Sequence, residues 1–458
     1  METTIEGKSE FEEHPASGAT GATNENEEAD RKHESGNSPK PTEEKTVHSD
    51  IEEGSSKYHP GGFHPVYIDD VYNGRYKVLS KIGYGVYSTV WLVKDLHQES
   101  TDGTEYYAMK VLSAMCYGTG EDIFELEILR HLRSGDEDQV GYRHICHLIN
   151  DFTVKGPNGN HVCLVFELMG ETLNFFGGRF VESRIPYAVM RRFAIQLICA
   201  VDFAHCHGVI HTDIQPSNIF VKFRNRSQIE SYLSETPVPD QDREEQKYTP
   251  VPSSPLSNYY LKEVDNLAEL DIALGDWGVA TWADKHLSEH IQPVALRAPE
   301  VLLRAPWDHN VDWWNFGAIL LEMYRAIRMF SGLVPPDGHY EVKQHISEIV
   351  DLFGPFPKSL LEKGDKELVR EVFDDQGGII IKDGNEKLSR PSLDHEVWTP
   401  GLNEEDREDF VSFLRFVMKV DPAERPEGVD MLRHVWIQAL PPLPEGEEEE
   451  AGDSGEES

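Results

Sequence analysis

The patterned part of this 458-residue chain opens with short runs in which apolar and polar residues alternate. Tyr76-Lys77-Val78-Leu79-Ser80-Lys81-Ile82, Ser88-Thr89-Val90-Trp91-Leu92-Val93 and Tyr106-Tyr107-Ala108-Met109-Lys110-Val111-Leu112 read as β-strands. Two more strands follow, the second ending in Val162-Cys163-Leu164-Val165-Phe166-Glu167. Between the strand groups the period lengthens to that of a helix over 121–132. There Phe124, Glu127, Ile128 and His131 follow the i, i+3, i+4, i+7 spacing. This spacing predicts Glu127 on a face with apolar neighbours and Glu125 toward solvent. Met190 to His207 forms a second amphipathic helix, with Phe193, Leu197, Val201 and Ala204 on its apolar face. The pattern fails from Arg224 to about residue 262, a Ser-, Pro- and acid-rich stretch that reads as a disordered spacer inside the domain. It resumes with Leu270-Asp271-Ile272-Ala273-Leu274-Gly275-Asp276. Residues 1–56 and 441–458 are Glu-rich with hardly an apolar residue, and read as disordered tails around an ordered body over 57–440.

Composition narrows the function. The formal net charge is −39, much of it in the ends, which disfavours direct binding to nucleic acid or to anionic membrane. Five cysteines contain no C-x-x-C pair and suit a reducing compartment. The acidic N-terminus lacks a signal-peptide core and no apolar run is long enough to span a bilayer, so a soluble protein of cytoplasm and/or nucleus is expected.

Several short motifs occur in a fixed order. Gly83-Tyr84-Gly85 lies between the first two strands, where missing side chains let backbone N–H groups face phosphates. A lone G-x-G also serves simple hairpins, so its position counts for more than its presence. Lys110 sits between apolar and aromatic neighbours, unlike an ordinary exposed strand lysine. Asp213 and Asn218 stand at D-x-x-x-x-N spacing between apolar runs, and Asp276-Trp277-Gly278 ends a strand. Leu296-Arg297-Ala298-Pro299-Glu300, Asp312-Trp313-Trp314-Asn315-Phe316-Gly317 and Asp421-Pro422-Ala423-Glu424-Arg425-Pro426 follow. A zinc reading of His205, Cys206, His207 and His211 lacks a second ligand pair at structural-zinc spacing.

In this order the motifs resemble those of eukaryotic protein kinases over roughly Tyr58 to Leu440. Tyr58-His59-Pro60-Gly61-Gly62-Phe63-His64-Pro65-Val66, Gly85-Val86-Tyr87-Ser88-Thr89-Val90-Trp91-Leu92, His211-Thr212-Asp213 and the lobe-splitting spacer are similar to the SR-protein kinases, in a divergent fungal form. The resemblance implies an α+β bilobal fold: a small β-rich lobe over about 57–168 and a larger helical lobe over about 169–440. It implies Ser/Thr phosphoryl transfer with ATP and Mg²⁺ as cofactors. Asp213 would orient the substrate hydroxyl, with Gln215 nearby; Lys110, aligned by Glu127, would contact the α/β-phosphates; Asn218 and Asp276 would hold the metal. Ile82, Gly83, Tyr84, Gly85, Val90, Ala108, Glu167 and Met169 would enclose the nucleotide, with Phe166 behind the purine. Glu300 and Arg425 would form a buried ion pair. Implied partners are protein substrates, basic or Arg/Ser-rich, met by a monomer.

Three departures bear on activity. Gln215 stands where the family has a Lys, removing a charge beside the transferring phosphate. Thr212 replaces the Arg that binds an activation-loop phosphate, so no such phosphorylation is expected to be required. Tyr340-Glu341-Val342-Lys343-Gln344-His345 carries Lys and Gln where the family's docking groove has acids, leaving Glu341, Glu348 and Asp351 to compensate. Besides an active kinase, the sequence admits a pseudokinase scaffold, favoured by Gln215 but opposed by the intact metal pair, and a chaperone-like acidic binder of basic proteins.

Overall fold

The computed structural model describes residues 52–98, 103–118, 123–223, 226–243, 248–256, 270–325, 328–334, 338–380 and 390–439. The tails expected to be disordered lie outside these residues, apart from 52–56.

The alternating runs become a six-stranded antiparallel sheet: β1 (Val71–Tyr72), β2 (Tyr76–Tyr84), β3 (Ser88–Asp95), β4 (Tyr106–Leu112), β5 (Leu148–Gly156) and β6 (Gly159–Glu167), in the order β1-β2-β3-β4-β6-β5. Trp91, Val93, Met109, Val111 and Val165 pack on one face, as a two-residue period dictates. Helix α1 (Glu125–Arg133) carries Ile128, Leu129 and Leu132 into the larger core.

Behind the sheet come β7 (Met169–Thr172), α2 (Leu173–Phe176) and the long α3 (Tyr187–Cys206), whose expected apolar face is buried. Next are β8 (Val209–Ile210) and β9 (Ile219–Lys222), which flank the Asp213–Asn218 loop, and helix α4 (Gln228–Glu235). β10 (Ile272–Leu274) pairs with β9 and β11 (Thr281–Trp282) with β8, so the Asp276 turn is held against the Asp213 loop. The short α5 (Pro299–Leu302) precedes α6 (Asn310–Arg325), buried almost all round at the centre of the helical lobe. A hairpin of β12 (Leu333–Val334) and β13 (His339–Tyr340) leads into α7 (Val342–Phe353), α8 (Lys358–Leu361), α9 (Lys366–Val372) and α10 (Glu404–Val417).

The spacer departs from expectation. Disorder was expected over 224–262, yet α4 forms there and Ile229, Tyr232, Tyr248, Val251 and Leu256 are buried. Their apolar partners lie on the β-lobe, where Leu79, Ile82, Leu92 and Leu168 pack with Ile229, Tyr232 and Leu256. Tyr232 donates to the Ser254 carbonyl at 2.6 Å and its hydroxyl lies 2.9 Å from Ser80 Oγ. Lys81, wholly buried, donates to the Val251 carbonyl at 3.1 Å and to Glu52 at 2.7 Å, and also pairs with Glu53. A charge buried so completely needs such partners, and ordered chain therefore begins before residue 57.

Candidate active site

Register along the sheet sets the small-lobe side of the cleft. Val90 stands opposite both Gly83 and Lys110, and Ala108 opposite both Leu92 and Phe166. The β2–β3 hairpin is closed by the Gly85 N–H donating to the Ser88 carbonyl at 2.8 Å, with Tyr84, Gly85, Val86 and Tyr87 exposed at its tip. Ile82 and Ala108 pack with Leu168 beneath this hairpin. Glu167 ends β6 with its carboxylate facing Lys222 at 3.3 Å, and Met169 opens β7, buried against Cys146 and Ala273.

Lys110 reaches into the cleft and meets two carboxylates. Its Nζ lies 2.6 Å from Glu125 Oε1 and 2.9 Å from Asp276 Oδ1. Glu127 is therefore not its partner: it is exposed and accepts only a long bond, 3.4 Å, from the Tyr117 hydroxyl. The stripe that turns inward is Glu125, Ile128, Leu129 and Leu132. It has the same i, i+3, i+4, i+7 spacing as the expected stripe, but with leucine in place of His131 at its last position. That extra apolar content was the available signal.

Electrostatics follow from this contact. The Lys110 ammonium holds Asp276 below the usual carboxylate range, outweighing burial. Burial pushes Glu125 above that range, against the pull of Lys110. For Lys110 burial alone would favour the neutral amine, but the two carboxylates raise it further and keep it charged.

The catalytic loop is held from below. Asp312, buried at the start of α6, accepts from the backbone N–H groups of His211 (2.8 Å) and Thr212 (2.9 Å) and meets His205 Nε2 at 2.9 Å. Burial opposes its ionisation, yet these bonds hold Asp312 below the carboxylate range. Thr212 adopts φ +65°, a left-handed conformation that a non-glycine residue keeps only where its surroundings enforce it. Its hydroxyl donates to the Val279 carbonyl at 2.9 Å, tying the loop to the Asp276 segment. Both Asp213 oxygens accept from Gln215 Nε2, at 2.9 and 3.0 Å, and Oδ2 also accepts from Asn218 Nδ2 at 2.8 Å. Burial raises Asp213 above the usual carboxylate range, against these hydrogen bonds and His211.

The histidines weighed as zinc ligands have other partners. His211 Nε2 lies 3.0 Å from the Gly275 carbonyl, His207 Nδ1 bonds within its own helix, and His205 meets Asp312. The expected Glu300–Arg425 pair forms as a two-armed contact of 2.6 and 2.7 Å, wholly buried.

The oxygen donors suit a hard cation. Asn218 spends its amide nitrogen on Asp213, so Oδ1 is the atom with which it would hold a metal, and Asp276 would add a carboxylate. A Cβ at Gly278 would stand 3.4 Å from Asp276 Oδ1 and 3.5 Å from Glu125 Oε2, so glycine keeps that space open.

A lysine aligned by a helix glutamate, an Asp/Asn pair on a braced loop and a second Asp at a strand end define a phosphotransferase cleft. The protein kinase domain family matches residues 76–236 and 256–437, on either side of part of the spacer, and the chain belongs to that family. It is 30% identical to a serine/threonine protein kinase of Aspergillus fumigatus, over 85% of this chain and 91% of that one. It is 26% identical to protein kinase dsk1 of Schizosaccharomyces pombe (85% of each chain) and to the serine/threonine-protein kinase SRPK of Physarum polycephalum (86% and 92%). The resemblance to SR-protein kinases thus extends over most of the chain.

Proposed function

We propose that this chain transfers the γ-phosphoryl group of MgATP to serine or threonine hydroxyls of basic, Arg/Ser-rich protein substrates. The observation that carries the reading is the convergence of Lys110–Glu125, Asp276, Asn218 and Asp213 on one cleft. MgATP supplies the phosphoryl group and the charge neutralisation its transfer needs. Lys110, pinned by Glu125, would orient the α/β-phosphates beneath the Gly83–Gly85 hairpin. Asn218 and Asp276 would hold the metal. Asp213 would accept a hydrogen bond from the substrate hydroxyl and receive its proton, and Gln215 and Asn218 fix the angle of that carboxylate. The Thr212–Val279 bond supports activity without activation-loop phosphorylation.

The substrate class rests on the SRPK-type relatives and on the acidic chain. Transfer of labelled γ-phosphate to an Arg/Ser-repeat peptide and to a generic basic protein tests both parts. Wild type should label the repeat peptide faster and Asp213→Asn should label neither. Intact nucleotide binding without transfer by wild type would refute the kinase reading.

A further inference from the structure

Three arginines from separate parts of the larger lobe converge on Tyr324: Arg184 just before α3, Arg325 as the last residue of α6, and Arg407 near the start of α10. Burial raises the Tyr324 phenol above its ordinary value, while Arg184, Arg325 and Arg407 each pull it down. All three arginines are half-buried, and the Nε of each is buried with no hydrogen-bond partner. Arg325 lies 5.6 Å over the Trp398 ring, and Arg407 donates to the Leu402 carbonyl at 3.2 Å. Among the described residues, the one acid within ion-pair distance of the three is the exposed Glu182, 2.7 Å from Arg184. Asp406 also acts on Tyr324, but its oxygens serve Arg191 at 3.6 Å and Asn403 at 2.8 Å. Burial and then the Arg184 charge lower Arg325 from its ordinary value. Like charges drawn together with unmet donors are unfavourable by themselves. In a chain of net charge −39 such a cluster is an exception, and it suits an anion.

The described chain leaves the fold beside this cluster. The Ala439 carbonyl accepts from Arg191 Nη1 at 2.6 Å, the Arg191 guanidinium lies 4.7 Å over the Tyr187 ring, and that ring is 6.0 Å from Tyr324. Residues 440–458, outside the described residues, hold eight acids and no lysine or arginine. The first acid, Glu445, follows Pro441, Pro442 and Pro444 and can stand up to about 20 Å beyond Ala439 in extended chain. Residues 447–450 are all glutamate. The other acidic end enters the described chain at Glu52, which is held by Lys81 on the β-lobe. The C-terminal segment is therefore the one delivered to the arginines.

We propose that this arginine cluster is the docking surface for the chain's own acidic segment 445–450, whose carboxylates meet the unfilled Nε–H groups of Arg184, Arg325 and Arg407. The guanidinium fork presents Nε and Nη donors side by side, so each arginine can take one carboxylate in two-armed fashion. The short connection holds the acids at about millimolar effective concentration, which favours the intramolecular contact over a separate polyanion of similar chemistry. Ser183 and Ile185, on either side of Arg184, line the cavity beside Gln215, so the docked segment lies at the margin of the catalytic cleft. The inference goes beyond the kinase reading and does not depend on it, since the contact needs neither nucleotide nor substrate.

The test uses the full chain with the photo-cross-linker p-benzoyl-phenylalanine in place of Gly446, irradiated while dilute, with the cross-linked peptides identified by mass spectrometry. Cross-links within the monomer should fall in the peptides that carry Arg184, Arg325 and Arg407. Their yield should drop about fivefold or more between about 0.1 M and about 1 M salt, as the screening length shortens from about 10 Å to about 3 Å. Arg325→Gln with Arg407→Gln should lower the yield by a similar factor. So should Glu447→Gln, Glu448→Gln, Glu449→Gln and Glu450→Gln together, which leave the folded body untouched. Cross-links to other parts of the body, cross-links to a second copy, or a yield unchanged by both sets of substitutions would overturn the proposal. A phosphoserine peptide that binds the cluster while the tail cross-links elsewhere would assign the surface to a foreign anion and overturn it too. Should the arginine pair fail to fold in melting curves, the glutamate substitutions and the salt dependence decide the question.

Discussion

Exchanging Glu125 and Glu127 one at a time separates two helix faces that differ by only two residues. Glu125→Gln keeps the volume but removes the charge 2.6 Å from Lys110 Nζ. A charge-assisted hydrogen bond is worth about 1.5–3 kcal/mol, so kcat/KM for ATP should fall about 10- to 150-fold if the contact matters fully in the transition state. A second effect adds to this. With Glu125 neutral, Lys110 keeps only Asp276 at 2.9 Å and is drawn toward a carboxylate that the metal also needs. The loss should therefore appear in the magnesium dependence as well as in KM for ATP. Glu127→Gln removes an exposed carboxylate with one 3.4 Å contact, and should change stability by no more than about 0.5 kcal/mol and leave transfer within about twofold. The assay is initial-rate phosphorylation across a matrix of ATP and Mg²⁺ concentrations, with melting curves to confirm folding. Equal losses from the two variants, or a larger loss from Glu127→Gln, would refute the pairing.

Gln215→Lys should raise kcat by about tenfold or more, because an ammonium beside Asp213 would add charge to a contact now made by an amide; a reduced rate would count against the role given to Gln215. Arg425→Ala leaves Glu300 buried without its partner and should cost about 3–5 kcal/mol in urea unfolding, and a loss under about 1 kcal/mol would refute it. Tyr232→Phe removes the hydroxyl that links α4 to Ser80 and Ser254; it should cost about 1 kcal/mol and speed proteolytic cleavage within the spacer, and unchanged cleavage would show that the spacer is held by its apolar contacts. Burial lowers His64 and His345 to about 4, so the folded chain binds fewer protons than the unfolded one. Stability should therefore fall as pH drops from about 6.5 toward about 4, by at most about 1.4 kcal/mol per unit for each histidine. His345→Phe should flatten this slope in urea titrations.

The local pattern by itself marked the strands of the β-lobe, the glycine hairpin and the long helix before the Asp213 loop, because each depends on residue type at short spacing, whereas Lys110, Asp213, Asn218 and Asp276 took on roles only through the resemblance of their order to one family. Strand alternation needs only a period of two, and the Asp213–Asn218 loop needs only its five-residue separation between apolar runs. The Glu300–Arg425 pair, 125 positions apart, was legible only through the resemblance of both motifs to one family.

Three features were decided in tertiary structure. Two stripes of α1 satisfy the same helical period, and only the direction of the neighbouring core selected Glu125 over Glu127. The spacer residues Tyr232, Val251 and Leu256 have too few apolar neighbours in sequence to form a core of their own, and gain one from the β-sheet, Val251 on the face of Trp91 and Met109 and Tyr232 and Leu256 on the face of Leu92. Glu348 and Glu322 are both glutamates on helices of the larger lobe, yet one is closed by Ser331, Gly332 and Arg390 while Oε1 of the other is buried without a hydrogen-bond donor. Charge is a property of the residue, whereas the availability of that charge depends on which distant donors the fold brings to it.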